Sequence, residues 1–344
     1  MRLLRLALVL LAMLAAMVPL PSRLVEAWYS QRLYPAIQTS LTPLSNQVAI
    51  ALLDVTAGLL LLILVAVFVS RVKRVGFVRA SMRTLVTIIT LACALYLIFL
   101  ALWGLNYRRV PLEAKLVFDE TRITRDAAFA LGEYAVAQVN AMYAPAHAAA
   151  PEGPSLEEAF ASAQPALGNH RLASTGIPKR SLLEWYFRTA AIDGMTNPYH
   201  LEVIINPDAL PFERPFIIAH EWAHLAGHAH EAEANFLAWL TCTRGNALAR
   251  YSGWFAIYEH VAGSMSKADR TALAAKLDSG PRQDLQEASK RYLRSSPVVR
   301  NTTREVYDTY LRANRVNEGI ASYSAVVRLM LGADVLTEGA PRLR

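Results

Sequence analysis

The residues best suited to chemistry lie in one segment, 214–243, which contains the motif His-Glu-Trp-Ala-His. On a helix, His220 and His224 fall on one face about one turn apart, so their imidazoles can bind the same ion. Glu221 is rotated by about 100° from His220 and can act on a water molecule without binding the metal. The spacing therefore predicts a Zn²⁺ site with Glu221 as the general base.

The sequence offers three candidates for the third metal ligand. Glu231 and Asn235 are four residues apart, so a carboxylate ligand and an amide that supports a ligand can share one helix face. Glu233 lies about 200° away from Asn235 around that helix, which favours Glu231. His230 completes the string His-Glu-x-x-His-x-x-Gly-x-x-His at every fixed position, and Met265 would then supply the methionine turn. His230 and Glu233 therefore stay open as alternatives to Glu231.

Other residues with suitable chemistry lack that spacing. Two tyrosines, Tyr251 and Tyr323, are candidate oxyanion donors, although packing is the commoner role for a tyrosine. Four further histidines are assigned to surface or structural positions: His147, His170, His200 and His260. Gly227 follows the motif and allows a sharp turn towards the third ligand.

The elements around this motif divide into a membrane part and an outer part. The chain has 344 residues, of which 54% are hydrophobic, a high fraction for a water-soluble protein. Most of the excess lies before Asn106, in three apolar runs. About 20 residues cross some 30 Å of hydrocarbon, so the runs predict spans at about 4–21, 48–69 and 84–105. We expect a membrane domain at 1–105 and an extracytoplasmic domain at 106–344.

The first run is shorter than the others and follows two arginines, which also describes a secretory signal peptide. We favour an uncleaved anchor, because no small-x-small cleavage site follows the run. Asp54 is an acid inside the second run, about 9 Å from the outer end of the expected helix. We expect it to lie near the membrane interface, bonded to a neighbouring helix or reached by water.

The orientation follows from basic residues between the second and third runs, a segment without acids: Arg71, Lys73, Arg74, Arg79 and Arg83. Lys and Arg stay on the cytoplasmic side, so this loop and the amino terminus face inward and residues after Asn106 face outward. A basic loop beside a span is a topology signal. The net charge of +7 therefore says little about partners. The apolar spans predict the lipid bilayer of the plasma membrane as a partner, and we expect no nucleic acid.

The outer part shows a helical pattern with one strand. Ser155 with Glu158, and Ser266 with Asp269, are typical of helix starts. Leu201–Asn206 is the best strand candidate, and we expect it to be an edge strand that binds an extended peptide by β-addition. Residues 143–154 read as a loop. Periodic apolar positions predict further helices: Asp126–Met142, Leu182–Ala191, Asn246–Ala262, Asp284–Leu293 and Arg304–Arg315.

Several short motifs carry a family resemblance: Trp28-Tyr29 with Tyr34-Pro35, Trp103 to Arg108, the segment from His220 to Phe236, Tyr251-Ser252-Gly253, Tyr310 to Asn314, and Glu318-Gly319 with Ser322-Tyr323. With these motifs the chain resembles the bacterial membrane-protein family named domain of unknown function 3810. The resemblance implies three amino-terminal spans and a mostly helical, gluzincin-like metallopeptidase domain of the zincin class with a small β element. The chain departs from the expected pattern at His230, where a non-ligand residue is expected.

The leading hypothesis is a membrane-anchored zinc peptidase that hydrolyses a peptide or protein substrate outside the cytoplasm. A non-catalytic membrane scaffold or binding protein with a structural metal site is the main alternative. The presence of Glu221 favours the peptidase over the scaffold, because a structural metal site needs its ligands but not that carboxylate. A transporter or receptor is the third possibility, but three spans with one lone acid give it little support.

Overall fold

The computed structural model of the chain describes residues 2–316 and 325–344, which are mainly helical. Tyr323 and the other motif residues at 318–322 lie outside the described residues. The amino-terminal third contains five α-helices: α1 (Arg2–Met17), α2 (Ser22–Leu24), α3 (Tyr34–Asn46), α4 (Leu52–Val75) and α5 (Phe77–Leu102). A π-helical stretch, Val25–Leu33, joins α2 to α3.

Two of these helices, α4 and α5, are long and apolar enough to cross a membrane. The first predicted span is a helix of 16 residues. It reaches spanning length only together with the segment Ser22–Asn46, to which it is bent by 109°. The structure therefore has two to three candidate spans, consistent with a membrane protein.

The predicted loop of basic residues is a turn at a single glycine between two helices. We expected spans at 48–69 and 84–105, but α4 continues to Val75 and α5 begins at Phe77. Lys and Arg are good helix formers and can extend their charged ends to water, so the helices continue through the basic segment. The break occurs at Gly76, whose φ of +78° is a conformation that glycine adopts without strain.

Asp54 lies in the first turn of α4, because this helix begins at Leu52 and not at residue 48. Its carboxylate accepts hydrogen bonds from the Ser181 hydroxyl (2.8 Å) and from the Leu182 backbone N–H (2.7 Å). Asp54 is thus an acid at a helix start, bound to a loop that follows the first strand. Among the described residues, the Asp54 carboxylate hydrogen-bonds to this loop and not, as we had expected, to a neighbouring helix.

The rest of the described chain forms twelve further α-helices and three short strands. A 3₁₀ turn, Gly104–Arg108, follows α5. The helices are α6 (Leu112–Lys115), α7 (Arg125–Ala146), α8 (Leu156–Ala163), α9 (Glu184–Ala190), α10 (Arg214–Leu225), α11 (Glu231–Arg244), α12 (Ala247–Ser264), α13 (Lys267–Ala275), α14 (Ser279–Leu293), α15 (Pro297–Ala313), α16 (Ala325–Gly332) and α17 (Val335–Glu338). The strands are β1 (Pro178–Lys179), β2 (Gly194–Asn197) and β3 (Glu202–Ile205).

The local signals in the outer part are confirmed. Ser155 and Glu158 form a reciprocal capping box at the start of α8, and Ser266 accepts from the Asp269 N–H at the start of α13. Each of the five helices predicted from periodicity is present with shifted ends. The largest extension is that of α15, which begins at Pro297 and not at Arg304. Helix α7 continues into the predicted loop as far as Ala146.

The sheet corrects one expectation. The predicted strand exists as β3, but the strand order is β1-β3-β2, so β3 is the buried central strand. It pairs in parallel with β1 and antiparallel with β2. A peptide cannot add to a strand with two partners. The strand with an open edge beside the motif helix is β2, which the sequence did not reveal.

One hydrophobic core crosses the predicted domain boundary at residue 105. It includes Tyr34, Trp103 and Leu112 together with Trp222 and Leu225 of the motif helix. The segment before α4 also hydrogen-bonds to the sheet region, since Thr42 donates to the Leu201 carbonyl at 2.8 Å. The division at residue 105 remains a prediction about folding units, and the contacts across it are extensive.

Two glycines of α12 give a matched test of the packing between α11 and α12. A Cβ added at Gly253 would lie 2.5 Å from the Cβ of Cys242, whereas one at Gly263 would meet nothing within 4 Å. We expect Gly253→Ala to destabilise the chain by about 1–3 kcal/mol through overpacking. Gly263→Ala should be neutral or slightly stabilising. Thermal unfolding in detergent, followed by circular dichroism, measures both, and equal melting temperatures would contradict this packing.

Candidate metal centre

The metal-site motif lies on α10, a largely buried helix that begins with Pro215 at its first turn. Trp222 fixes the helix against the loop before β1 by donating its indole N–H to the Gly176 carbonyl at 2.8 Å. His220 and His224 lie on the opposite side of the helix, with ring centroids 4.6 Å apart and the rings nearly perpendicular. The expected shared face of the two imidazoles is therefore present.

Glu231, the first residue of α11, completes a cluster with the two histidines. Its Oε2 lies 3.2 Å from the Nε2 of His220, and its Oε1 lies 3.7 Å from the Nε2 of His224. One ligand atom from each residue falls within 4.8 Å of the other two. This spacing is short enough for three donors to surround one ion.

The two alternative ligands lie elsewhere. Glu233 accepts a hydrogen bond from the Leu112 N–H (2.8 Å), and its other oxygen lies 3.4 Å from the Nδ1 of His228. His230 precedes α11, and its ring stacks edge-on against Tyr107 at 5.8 Å. Neither belongs to the cluster of donor atoms, so the structure brings Glu231 to the histidines and leaves Glu233 and His230 outside.

The turn between α10 and α11 is tight, since only six residues separate His224 from Glu231. Gly227 has a φ of +85°, as the sequence predicts for a sharp turn. His224 is oriented by this turn, because its Nδ1 lies 2.8 Å from the His228 carbonyl oxygen. A backbone carbonyl at the second ring nitrogen is the usual device for aiming a metal-binding imidazole.

Side chains from the amino-terminal part bind the carbonyl groups of the same turn. Trp103 donates to the His224 carbonyl at 3.0 Å, and Tyr34 donates to the Leu225 carbonyl at 2.7 Å. Arg109 donates to the Gly227 carbonyl at 3.0 Å. These three bonds bring side-chain donors to the last turn of α10 and the residue Gly227 that follows it, where the His224 carbonyl also accepts the Gly227 N–H at 3.0 Å. They fix the position of Glu231 relative to the histidines.

Arg109 is itself held by an ion pair with Glu26 of the π-helical stretch. Both guanidinium contacts measure 2.9 Å, and Lys115 lies 2.6 Å from the same carboxylate. Burial alone would raise the pKa of Glu26, but Arg109 and Lys115 outweigh that effect and lower the pKa to about 2. The pair is therefore charged at any pH at which the protein is folded under ordinary conditions.

Glu221 is buried at 4% relative exposure and faces the sheet. Its carboxylate accepts a hydrogen bond from the Thr196 hydroxyl of β2 at 2.8 Å. A Cβ at Gly194 would lie 2.6 Å from Oε1 of Glu221, so glycine at the start of β2 makes room for the carboxylate. Burial raises the pKa of Glu221 to about 7, more than His220 and Thr196 lower it.

The three residues of the cluster shift one another's pKa values. Burial lowers the pKa of His220, but the hydrogen bond and the charge of Glu231 outweigh burial and raise it to about 9. Burial would raise the pKa of Glu231, yet His224 and His220 lower it to about 2. Burial lowers the pKa of His224 to about 4. Without a metal, the site is therefore an ion pair between His220 and Glu231 beside a neutral His224.

Asn235 and Tyr307 support the cluster. Asn235 forms a side-chain hydrogen bond with His220 that raises the pKa of this histidine, which fits the supporting role expected for its amide. Its Nδ2 has no hydrogen-bond partner among the described residues. Tyr307 of α15 donates to Oε1 of Glu231. Sequence spacing gave no signal for Tyr307, because 76 residues separate the two.

The remaining candidates lie outside the cluster of donor atoms. Tyr251 is fully buried and donates to Asp284 at 2.6 Å, which is the packing role. His147 pairs with the same Asp284 at 3.2 Å, and Met265 ends α12. His260 of α12 packs beside Phe216 of the motif helix, with ring centroids 6.4 Å apart. Burial and the charge of His220 lower its pKa to about 4, although Glu231 acts in the opposite direction.

Comparison with known proteins establishes the family. The model of the family described as "Protein of unknown function (DUF3810)" matches residues 29–331, and the chain belongs to this family. No curated protein and no solved structure matches the chain. The family membership confirms the resemblance seen in the sequence motifs and assigns no activity.

The Glu26–Arg109 pair gives a test of how the turn is held. We expect Glu26→Gln to destabilise the chain by about 2–3 kcal/mol at pH 7, because Arg109 and Lys115 lose their buried counter-charge. Since the folded pKa of Glu26 is depressed, the contribution is complete above pH 4.5 and is lost as the pH falls towards 2. The melting temperatures of variant and wild type should therefore converge over that interval.

The matched control is Glu287→Gln, which removes one partner of the exposed Glu287–Lys290 pair. A surface pair contributes about 0–1 kcal/mol, so this variant should melt within a few degrees of wild type at every pH. A pH-independent loss of stability in Glu26→Gln would show that the charge of Glu26 does not hold the turn.

Proposed function

We propose that the protein is a membrane-anchored, zinc-dependent peptidase with Glu221 as its general base. The observation that carries the proposal is the convergence of His220, His224 and Glu231 within 4.8 Å, with the Glu221 carboxylate bound to an open-edged strand beside them. Two imidazoles and one carboxylate form the donor set of several zinc peptidases, which leave the fourth position of the metal open.

The residues fit a divalent ion. Oε2 of Glu231 is buried, and Nε2 of His220 lies 3.2 Å from it. A buried carboxylate oxygen is costly unless a cation or a charged imidazole satisfies it. Nδ1 of His224 faces the His228 carbonyl oxygen, so Nε2 is the ring nitrogen that is left to bind a metal ion. When bound, zinc would lower the pKa of a coordinated water towards about 7 and polarise a substrate carbonyl.

Glu221 would accept and return the proton in this scheme. The Thr196 hydroxyl holds one carboxylate oxygen at 2.8 Å, and the space at Gly194 accommodates the other, so the carboxylate is fixed in place beside β2. A pKa raised to about 7 by burial suits a group that must take up a proton and later deliver it to the leaving amine near neutral pH. A purely structural metal site would have no use for this carboxylate.

β2 is the element that would align the peptide. It pairs with β3 on one side and has no strand partner on its other side among the described residues. An extended peptide can add to such an edge through backbone hydrogen bonds. Because Thr196 and Gly194 of β2 contact Glu221, a peptide on this edge would pass in front of the general base.

The proposed location is the plasma membrane, with the cluster on the outer side. The five basic residues of the segment 71–83 flank the break at Gly76, at the end of the α4–α5 pair opposite to the cluster. Basic residues next to spans are retained in the cytoplasm. The peptide or protein substrate would therefore be extracytoplasmic.

Replacing the general base tests the catalytic proposal. Glu221→Gln should bind zinc as wild type does, because the three ligands remain, and should lose at least about 100-fold in peptide hydrolysis. Zinc content by mass spectrometry and cleavage of a peptide library measure the two effects on the full-length chain. Glu157→Gln, which removes an exposed carboxylate on α8, is the control. Equal turnover of Glu221→Gln and wild type would contradict the proposal.

Single alanine variants test the third ligand. Glu231→Ala should lower zinc affinity by at least tenfold, because one of three protein ligands is removed. His230→Ala should leave zinc affinity unchanged, since His230 faces Tyr107 and not the cluster. Isothermal titration with zinc compares them in detergent. If His230→Ala empties the site while Glu231→Ala retains zinc, the ligand assignment is wrong.

A further inference from the structure

The end of β2 reaches the second candidate span. Tyr199 follows β2 by two residues, and its hydroxyl donates to the Leu95 carbonyl of α5 at 3.5 Å. Leu95 lies seven residues before the end of α5 at Leu102. The strand that contacts Glu221 therefore runs towards the side of a span and not away from it.

The register of α4 and α5 shows how deep this contact lies. Arg71 donates to the Thr84 hydroxyl at 3.1 Å, so these two residues lie at the same height of the antiparallel pair. At 1.5 Å per residue, Asp54 lies about 26 Å above that level and Leu95 about 17 Å above it. The contact with Tyr199 is therefore about 9 Å deeper than the first turn of α4.

Exposed apolar side chains surround the start of α4, on the outer side of the Tyr199 contact. The Leu182 N–H binds Asp54 at the start of α4, and the Leu182 side chain is 86% exposed. Leu183 and Trp185 follow, at 46% and 61% exposure. We name these three residues the apolar rim. Apolar side chains next to the start of a span, with a tryptophan among them, are typical of a surface in contact with the membrane interface.

We propose, on the basis of the peptidase function proposed above, that the substrates are membrane-anchored polypeptides cut in the segment that leaves the bilayer beside α5. A peptide along the open edge of β2 passes Glu221 at Thr196 and meets the level of Leu95 at Tyr199. The three residues from Thr196 to Tyr199, which lies in the turn that follows β2, span at most about 10 Å. The cut bond therefore lies within about three to eight residues of the hydrocarbon.

A library of anchored substrates tests the proposal. The full-length chain is reconstituted with zinc in liposomes, together with polypeptides that carry one apolar helix and a randomised 24-residue outer linker. Mass spectrometry of the products gives the cut positions, and Glu221→Gln liposomes supply the blank. We expect cuts to cluster within about eight residues of the helix. One efficiently cut sequence is then moved 15 residues outward in an otherwise identical anchored substrate, which should lower its cleavage rate at least tenfold.

The outcomes separate the two proposals. Cuts spread evenly along the linker, or equal rates for the near and far positions, would overturn the membrane-proximal substrate and leave the peptidase intact. Cleavage of no substrate by wild type, in the anchored or in the soluble form of the library, would overturn both. Anchoring raises the local substrate concentration at the membrane, which alone would speed cleavage. Both anchored substrates share this increase, so a difference between their rates has another cause.

The depth of the apolar rim has a readout that does not depend on activity. In liposomes with brominated lipids, tryptophan fluorescence is quenched near the acyl chains. Trp185→Phe should reduce the quenched fraction relative to wild type, while Trp254→Phe, which removes a buried tryptophan of α12, should not. Equal quenching of wild type and Trp185→Phe would place the rim in water and contradict the proposal.

Discussion

The arrangement of the site depends on the turn that joins α10 to α11. Only six residues lie between His224 and Glu231, so a small change in this turn would remove the carboxylate from the two imidazoles. The carbonyl groups of His224, Leu225 and Gly227 are each bound by a side chain that precedes residue 110. Such bonds are directional and buried, and a buried polar group that loses its partner costs about 1–3 kcal/mol.

This constraint makes the membrane part and the cluster one structural unit. Trp103 directly follows α5, and its indole binds the last turn of the motif helix, so the position of a span and that of His224 are coupled. A fragment beginning at residue 106 would lack both Trp103 and Tyr34. Metal and activity measurements therefore belong on the full-length chain. In the proposed function, the same coupling would bring the open edge of β2 to the membrane, where Glu221 would meet peptides that emerge from it.

The sequence predicted the parts of this arrangement that depend on local spacing. His220, Glu221 and His224 lie one turn apart or adjacent, and the i,i+4 relation of Glu231 to Asn235 selected the residue that the fold brings to the histidines. Capping residues such as Ser155 marked helix starts for the same reason. Features of the site that depend on contacts between distant parts of the chain could not be predicted from the sequence. Nothing in the sequence around residue 307 indicates its bond to Glu231. The order of the strands, which makes β2 and not β3 the open edge, is fixed by tertiary pairing.

The central claim is that His220, His224 and Glu231 hold one metal ion. Zinc X-ray absorption spectroscopy on the full-length chain loaded with one equivalent of zinc tests it most directly. The account predicts a shell of nitrogen and oxygen ligands at about 2.0–2.2 Å, with the multiple-scattering pattern of two imidazoles. The pattern should drop to one imidazole in His220→Ala. A sulfur ligand at about 2.3 Å, an unchanged spectrum in His220→Ala, or no bound zinc would contradict the account.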